Sequence, residues 1–234
     1  MRLLLIGDSW GCGEYSRNPE NTANIISHRG TEDYLREAGH YVKNMSCPAD
    51  NNLRQLRLAD AELHKRPYDH IIWFQTEPLR NIYEFTPFPE PQDHWQYDVR
   101  KHAPSYDPMV EEWFRMTYSR AQEIYDRHGI KFITIGGMVP LHPSITDYSF
   151  HNILTWSWAE DIVGHRPPYN SYWHTGRFTE DNIDLLDNQR MYSEIRACRK
   201  YEDLQEDCER FSCRHPDRRC HEELTERLLA RISK

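Results

Sequence analysis

A serine follows a short apolar run near the amino terminus, within the segment Leu3–Gly13 (LLLIGDSWGCG). The four apolar residues Leu3–Ile6 are typical of a buried strand in a parallel sheet. Ser9 would then lie just beyond the carboxyl end of that strand, at the edge of an open α/β sheet where ligands bind. A serine held there between glycines could act as a nucleophile, but Gly-Asp-Ser is also ordinary turn sequence after a strand.

A serine hydroxyl needs a base, and a histidine near the other end of the chain is a candidate. His215, followed by Pro216, lies in the segment Ser212–His221 (SCRHPDRRCH). This segment leads into Arg218–Ile232, where leucines at helical spacing predict a terminal helix. An imidazole within about 2.6–3.2 Å of the serine hydroxyl could take its proton. The alternative is a solvated loop histidine.

These two segments together resemble the motifs of the SGNH, or GDSL-type, hydrolase family. Gly7-Asp8-Ser9 is similar to the family's first motif, and His215-Pro216 before the last helix is similar to its final one. The two motifs span almost the whole chain. The resemblance implies a serine esterase in which Ser9 attacks an ester carbonyl and His215 shuttles the proton, without a cofactor or metal.

The resemblance also implies hydrogen-bond donors for the oxyanion, and here the sequence departs from the family's pattern. Ala49 stands where the second motif has a glycine. Because the donor is a backbone N–H, alanine can serve if the backbone angles suit a residue with a Cβ. The asparagine of the third motif is absent, and Thr76 is the closest substitute, with Gln75 as the second candidate.

The residue that would orient His215 is also changed. The family has an aspartate three residues before the histidine, where this chain has Ser212. A serine can hydrogen-bond the imidazole, but it supplies no negative charge during proton transfer. Asp207 or Asp217 could complete the triad instead, and Asp217 with His221 forms a rival pair.

Metal binding is a competing interpretation of the same region. Thiolate and imidazole ligands could come from Cys208, Cys213, His215, Cys220 and His221. Their spacing lacks the C-x-x-C pair that is usual for structural zinc, so we expect no metal site here.

Strands and helices alternate between the two ends of the chain. The apolar runs predict strands at Leu3–Ile6, His40–Ser46, Asp69–Gln75 and Ile130–Ile135. Helices are predicted at Thr31–Ala38 (capped by Thr31 and stopped by Gly39), Asn51–His64, Met109–His128, Leu185–Leu204 and Arg218–Ile232. This alternation predicts a mainly parallel sheet covered on both faces, a three-layer α/β/α sandwich of the SGNH-hydrolase or flavodoxin-like kind.

Two stretches break the alternation. Residues 81–108, rich in proline, and residues 141–184, rich in aromatic residues, predict irregular insertions over the edge that carries Ser9. Exposed aromatic rings suit the apolar faces of sugars, although such rings more often pack in cores or lids. We predict substrate contacts at Trp156, Tyr172, Trp173 and Arg80. An acyl ester, such as an acetyl group, on a carbohydrate is the predicted substrate.

Composition limits the other possible functions. With 234 residues and no linker-like segment, the chain suits a single domain. Its net charge of −8 argues against nucleic acid or anionic membranes as partners. No apolar run approaches the roughly 20 residues that span a bilayer, and no signal peptide is evident. We expect a soluble, cytoplasmic protein with reduced cysteines that acts on a small-molecule or glycan ester.

Two functions of different classes therefore follow from the sequence. The first is a serine esterase of the SGNH type. The second is a catalytically impaired binding or structural protein that keeps the fold, as the departures at Ala49, Thr76 and Ser212 would allow.

Overall fold

The structure of the protein is a computed structural model, which describes residues 1–17, 24–48, 50–76, 106–137, 141–163, 211–212 and 215–233. The elements in chain order are β1 (Arg2–Gly7), α1 (Ser9–Cys12), β2 (Glu14–Arg17), β3 (Asn24–His28), α2 (Thr31–Glu37), β4 (Tyr41–Asn44), α3 (Asn52–Leu63), β5 (His70–Gln75), α4 (Tyr106–His128), β6 (Phe132–Gly136), a 3₁₀ helix (Pro143–Asp147), β7 (His151–Thr155), α5 (Trp158–Val163), β8 (Phe211–Ser212), β9 (His215–Pro216) and α6 (Arg218–Ile232).

Five parallel strands form the central sheet, in the order β4-β1-β5-β6-β7. From β1 the chain crosses to β4 on one side of β1, and from β4 it crosses back over β1 to β5 on the other side. Right-handed crossovers therefore place α2 on one face of the sheet and α3 and α4 on the other. Accordingly, α2 contacts α6, whereas α3 contacts α4. The predicted three-layer α/β/α fold is confirmed.

Burial of the sheet on both faces explains its apolar runs. All four residues from Leu3 to Ile6 in β1 are fully buried, as are Ile71 to Phe74 in β5. A strand covered by helices on both sides needs no polar alternation, unlike a strand with one solvated face. The order in which the chain adds strands to the sheet reverses between the parallel neighbours β1 and β5. Ligands in open α/β sheets bind at the carboxyl ends of the strands at such a point.

Two regions contain regular structure that the sequence pattern did not predict. The stretch 141–184, predicted to be irregular, contains the 3₁₀ helix, β7 and α5. β7 lies at the edge of the sheet and four of its five residues are only half-buried, so it lacks the apolar run of an inner strand. The stretch after α1 contains β2 and β3, which pair antiparallel. The predicted helix 185–204 and most of the predicted insertion 81–108 lie outside the described residues.

The predicted threonine cap of α2 is wrong. Gly30 is the N-cap and makes no side-chain capping bond, and Thr31 is the first helical residue. Gly30 has a φ of +57°, and a Cβ there would lie 2.5 Å from the ring of His221. The close approach of α6 to this turn therefore requires glycine at position 30.

None of the helices in the described ranges combines the length and the apolar character needed to cross a membrane.

The inner strands should dominate stability. Ile72 of β5 is 0% exposed, whereas Ile25 of β3 is 48% exposed. We expect Ile72→Ala to lower the free energy of unfolding by about 2–5 kcal/mol through lost burial and a new cavity. The matched control Ile25→Ala should change it by no more than about 0.5 kcal/mol. Urea unfolding followed by circular dichroism measures both, and equal losses would contradict this assignment of the core.

Candidate active site

Ser9 lies where the sequence predicted, beyond the carboxyl end of β1 and at the start of the short helix α1. The turn before it is held by Asp8, which caps α1 and accepts a hydrogen bond at Oδ1 from the Trp10 amide at 3.0 Å. Ser9 is buried at the rim of the sheet. Within the described residues, no hydrogen bond joins its hydroxyl to another side chain. Pairing of Ser9 with His215 therefore stays a prediction.

Thr76 follows β5 and lies beside this turn, but its hydroxyl has a partner that the sequence did not reveal. Thr76 Oγ1 donates to Asp8 Oδ2 at 2.9 Å, and both residues are buried. The hydroxyl has a single hydrogen, so donating to an oxyanion would require Thr76 to give up this bond. Gln75, the second candidate, is the last residue of β5 and is buried. Ala49 lies outside the described residues.

Asp8, directly before Ser9, has a structural role that the sequence motif alone did not indicate. Asp8 joins the start of α1 to the end of β5 through its two carboxylate oxygens. Aspartate is a favoured N-cap residue, so its position directly before a short helix was a local signal. Its contact with Thr76, 68 residues away, carries no such signal.

His215 reaches the same edge of the sheet through a short antiparallel pair. In the pairing of β8 with β9, Ser212 lies directly opposite His215. The His215 ring stacks on Tyr15 of β2, with ring centroids 4.1 Å apart and an interplanar angle of 29°. β9 also contacts α1, the helix that begins with Ser9. The segments that carry Ser9 and His215 are therefore close, and the backbone register places Ser212 opposite His215.

The alternative acid, Asp217, is engaged elsewhere. It caps α6, where its carboxylate accepts hydrogen bonds from Cys220 N at 2.8 Å and Arg219 Nε at 3.0 Å. Burial alone would raise the pKa of Asp217, but these hydrogen bonds hold it below its ordinary value. Asp207 lies outside the described residues.

His221, the other member of the predicted rival pair, is a core residue. Its Nδ1 accepts a hydrogen bond from the Thr31 amide at 3.3 Å and lies 3.0 Å from Thr31 Oγ1. Its ring meets Trp158 edge-on at 4.9 Å. Burial lowers the pKa of His221 to about 3, so its imidazole is neutral at pH 7. The described side-chain hydrogen bonds give Asp217 and His221 different partners, and the bond that joins the two residues is the helical one from the His221 amide to the Asp217 carbonyl oxygen.

The described cysteines, Cys12, Cys47 and Cys220, are free thiols. Cys220 is packed in the hydrophobic core, and Cys208 and Cys213 lie outside the described residues.

One group of side chains within the described ranges could hold a metal, and it lies on the helices α3 and α4. Candidate ligand atoms of Asp60, His64 and His128 lie within 4.8 Å of one another. The Asp60 carboxylate also accepts hydrogen bonds from Arg120 and Arg127, at 2.8 and 2.7 Å. These contacts make Asp60 the centre of an ion-pair network that joins the two helices.

Of the four predicted substrate contacts, only Trp156 is described. It directly follows β7 at the carboxyl edge of the sheet and is 45% exposed. Two residues later, Trp158 meets Trp10 edge-on, with centroids 5.7 Å apart. Trp10 follows Ser9, so the segment that carries Trp156 passes close to the candidate nucleophile. Arg80, Tyr172 and Trp173 lie outside the described residues.

Comparison with protein-family models and with curated proteins finds no match. Among solved structures, the chain is similar to TesA (TM-score 0.44, 13% identity, 99% of this chain and 98% of that chain). It is also similar to a carbohydrate acetylesterase family member from Sinorhizobium meliloti (0.42, 11%, 99% and 97%) and to the psychrotrophic esterase EstA from Pseudoalteromonas sp. (0.41, 9%, 99% and 96%). At these scores and identities, the likeness carries no argument about activity.

The buried His221 should make stability depend on pH. Its pKa is about 3 in the folded chain and near 6.5 when unfolded, so between these values only the unfolded chain gains a proton at this site. The free energy of unfolding should therefore fall as pH falls from 6.5, by up to about 1.4 kcal/mol per pH unit from this group. Urea unfolding at several pH values between 4.5 and 6.5 gives the free energy of unfolding as a function of pH. This free energy should depend less steeply on pH for His221→Gln than for the wild type. Equal slopes would contradict a neutral, buried His221.

Proposed function

We propose that the protein is a serine ester hydrolase with Ser9 as nucleophile and His215 as general base. The observation that supports this most directly is the contact between α1, which begins with Ser9, and β9, which carries His215. Ser9 begins α1 directly after β1, and β9, which carries His215, lies against the same helix. A nucleophile beside a histidine at the carboxyl edge of a sheet is the arrangement that acyl transfer requires.

The proposed reaction proceeds through an acyl-enzyme. His215 takes the Ser9 proton as Oγ bonds to the ester carbonyl carbon, and the tetrahedral oxyanion is held by the backbone N–H groups of Ser9 and Ala49. Collapse of this intermediate breaks the bond to the alcohol, which leaves with the proton from His215. Water, deprotonated by the same imidazole, then releases the acid and restores Ser9. Ser212 orients the imidazole from across the β8–β9 pair.

Removal of either reacting group should abolish turnover. We expect Ser9→Ala and His215→Gln each to lower kcat/KM for p-nitrophenyl acetate by about 10³-fold or more, because neither residue works without the other. Initial rates at 405 nm, with circular dichroism to verify folding, measure the effect. The kcat/KM of the double variant Ser9→Ala/His215→Gln should be no lower than that of the less active single variant. Wild-type hydrolysis that survives in Ser9→Ala would exclude Ser9 as the nucleophile.

A second candidate function is that of a binding protein that has the same fold and site but does not catalyse hydrolysis. The bond between Thr76 and Asp8 supports it, because it engages the hydroxyl that would replace the family's asparagine donor. A serine at position 212 also supplies no negative charge to an imidazolium. The hydrolysis assay separates the two candidates: a wild-type rate equal to that of Ser9→Ala favours the binding protein.

We further propose that the ester is carried by a carbohydrate. Trp156 supports this, because its half-exposed indole lies two residues before Trp158 and offers the flat apolar surface on which sugar rings pack. Trp158, packed against Trp10, anchors the same segment to α1.

The carbohydrate proposal predicts an effect that depends on substrate size. Trp156→Ala should raise KM for an acetylated xylo-oligosaccharide roughly 2- to 10-fold through lost stacking. The same variant should leave KM for p-nitrophenyl acetate unchanged, because that ester has no sugar ring. Acetate release measured for both substrates gives the comparison, and an equal change in both KM values would remove Trp156 from sugar recognition.

A further inference from the structure

The first turn of α3 contacts the ends of both strands that flank the candidate site. Gln55 is buried and accepts, at Oε1, a hydrogen bond from the Gly7 amide at the end of β1 (3.2 Å). Asn52 is 1% exposed and reaches Thr76 at the end of β5. α3 is therefore attached by side chains to both sides of the crevice between the two strands.

Asn52 binds the Thr76 backbone at two points. Its Nδ2 donates to the Thr76 carbonyl oxygen at 3.0 Å, and its Oδ1 accepts from the Thr76 amide at 3.0 Å. One planar amide thus satisfies both polar backbone groups of the residue that follows β5. Such a paired contact fixes orientation as well as position, because two bonds to a planar group prevent rotation about either one.

The contacts continue from Thr76 to the nucleophile turn. Thr76 Oγ1 donates to Asp8 Oδ2 at 2.9 Å, and Asp8 Oδ1 accepts from the Trp10 amide at 3.0 Å. Asn52, Thr76 and Asp8 are 1%, 4% and 6% exposed, so water has little access to these bonds. The amide of Trp10 closes the peptide bond that follows Ser9, which makes the direction of the Ser9 backbone depend on Asp8.

We propose that Asn52 is a positioning residue for Ser9, acting through Thr76 and Asp8. This inference rests on the proposed function, because positioning has a catalytic meaning only if Ser9 is the nucleophile. Asn52 takes no direct part in the proposed reaction. Its effect is to hold Thr76 so that the hydroxyl meets the Asp8 carboxylate, which in turn keeps the Ser9 N–H and Oγ directed at the ester.

The test compares Asn52→Ala and Asn52→Asp with the wild type, using p-nitrophenyl acetate well below each melting temperature. Asn52→Asp keeps the oxygen that accepts from Thr76 and loses the donor to its carbonyl. We expect Asn52→Ala to lower kcat roughly 10- to 100-fold with KM unchanged, because small misplacements of a nucleophile slow the chemical step. Asn52→Asp should retain more activity than Asn52→Ala.

Thr134→Val is the matched control. Thr134 is buried in the neighbouring strand β6, and its hydroxyl has no hydrogen-bond partner among the described residues. The control should keep the wild-type kcat, whereas Thr76→Val should reproduce the loss of Asn52→Ala. The combination of Asn52→Ala with Thr76→Val should lose no more activity than the worse single variant, since both interrupt one chain of contacts.

Three outcomes would overturn the inference. Wild-type kcat in Asn52→Ala, with only its melting temperature lowered, would make Asn52 purely structural and leave the esterase proposal intact. Multiplied losses in the double variant would show that Asn52 and Thr76 act independently. Wild-type hydrolysis that does not depend on Ser9 would overturn the proposed function itself. If Asn52→Ala fails to fold, Asn52→Asp and Thr76→Val provide the same comparison.

Discussion

A buried carboxylate between two strand ends holds the candidate site together. Asp8 accepts one hydrogen bond from the first turn of α1 and another from Thr76 after β5. A buried carboxylate is costly without such partners, so the Asp8–Thr76 contact is a strong constraint rather than an incidental one. It fixes the spacing of the crevice at the point where the strand order reverses. The position of Ser9, which lies between Asp8 and Trp10, depends on that spacing.

The remaining architecture keeps this crevice in place. Apolar runs in β1 and β5 are buried between two helix layers, so the strands cannot slip without moving polar ends into the core. On one face, α3 binds both strand ends and is joined to α4 by the ion-pair network around Asp60. On the other face, α2 and α6 meet at Gly30 and His221. Each helix layer thus contributes side-chain contacts near the edge where α1 and β9 meet.

The sequence carried information about buried structure better than about edges. Unbroken apolar runs such as Leu3–Ile6 identify inner strands because burial on both faces leaves a local pattern. The edge strand β7 has no such pattern, and the β2–β3 pair interrupts a stretch that looked like a polar loop. The placement of Ser9 after a strand was predictable for the same local reason. The contact between Asp8 and Thr76 was not, because it depends on the register of two strands that are distant in sequence.

The stacking of His215 on Tyr15 has a consequence for how any substrate meets this side chain. The phenol ring of Tyr15 is stacked on the imidazole with ring centroids 4.1 Å apart and an interplanar angle of 29°, and it covers one face of the heterocycle. The ring nitrogens lie in the imidazole plane, so stacking leaves them at the rim. The stacking therefore covers one face of the ring and leaves proton transfer to the rim, where the nitrogens lie. Tyr15, and with it the β2–β3 pair, thus shields one face of the His215 ring.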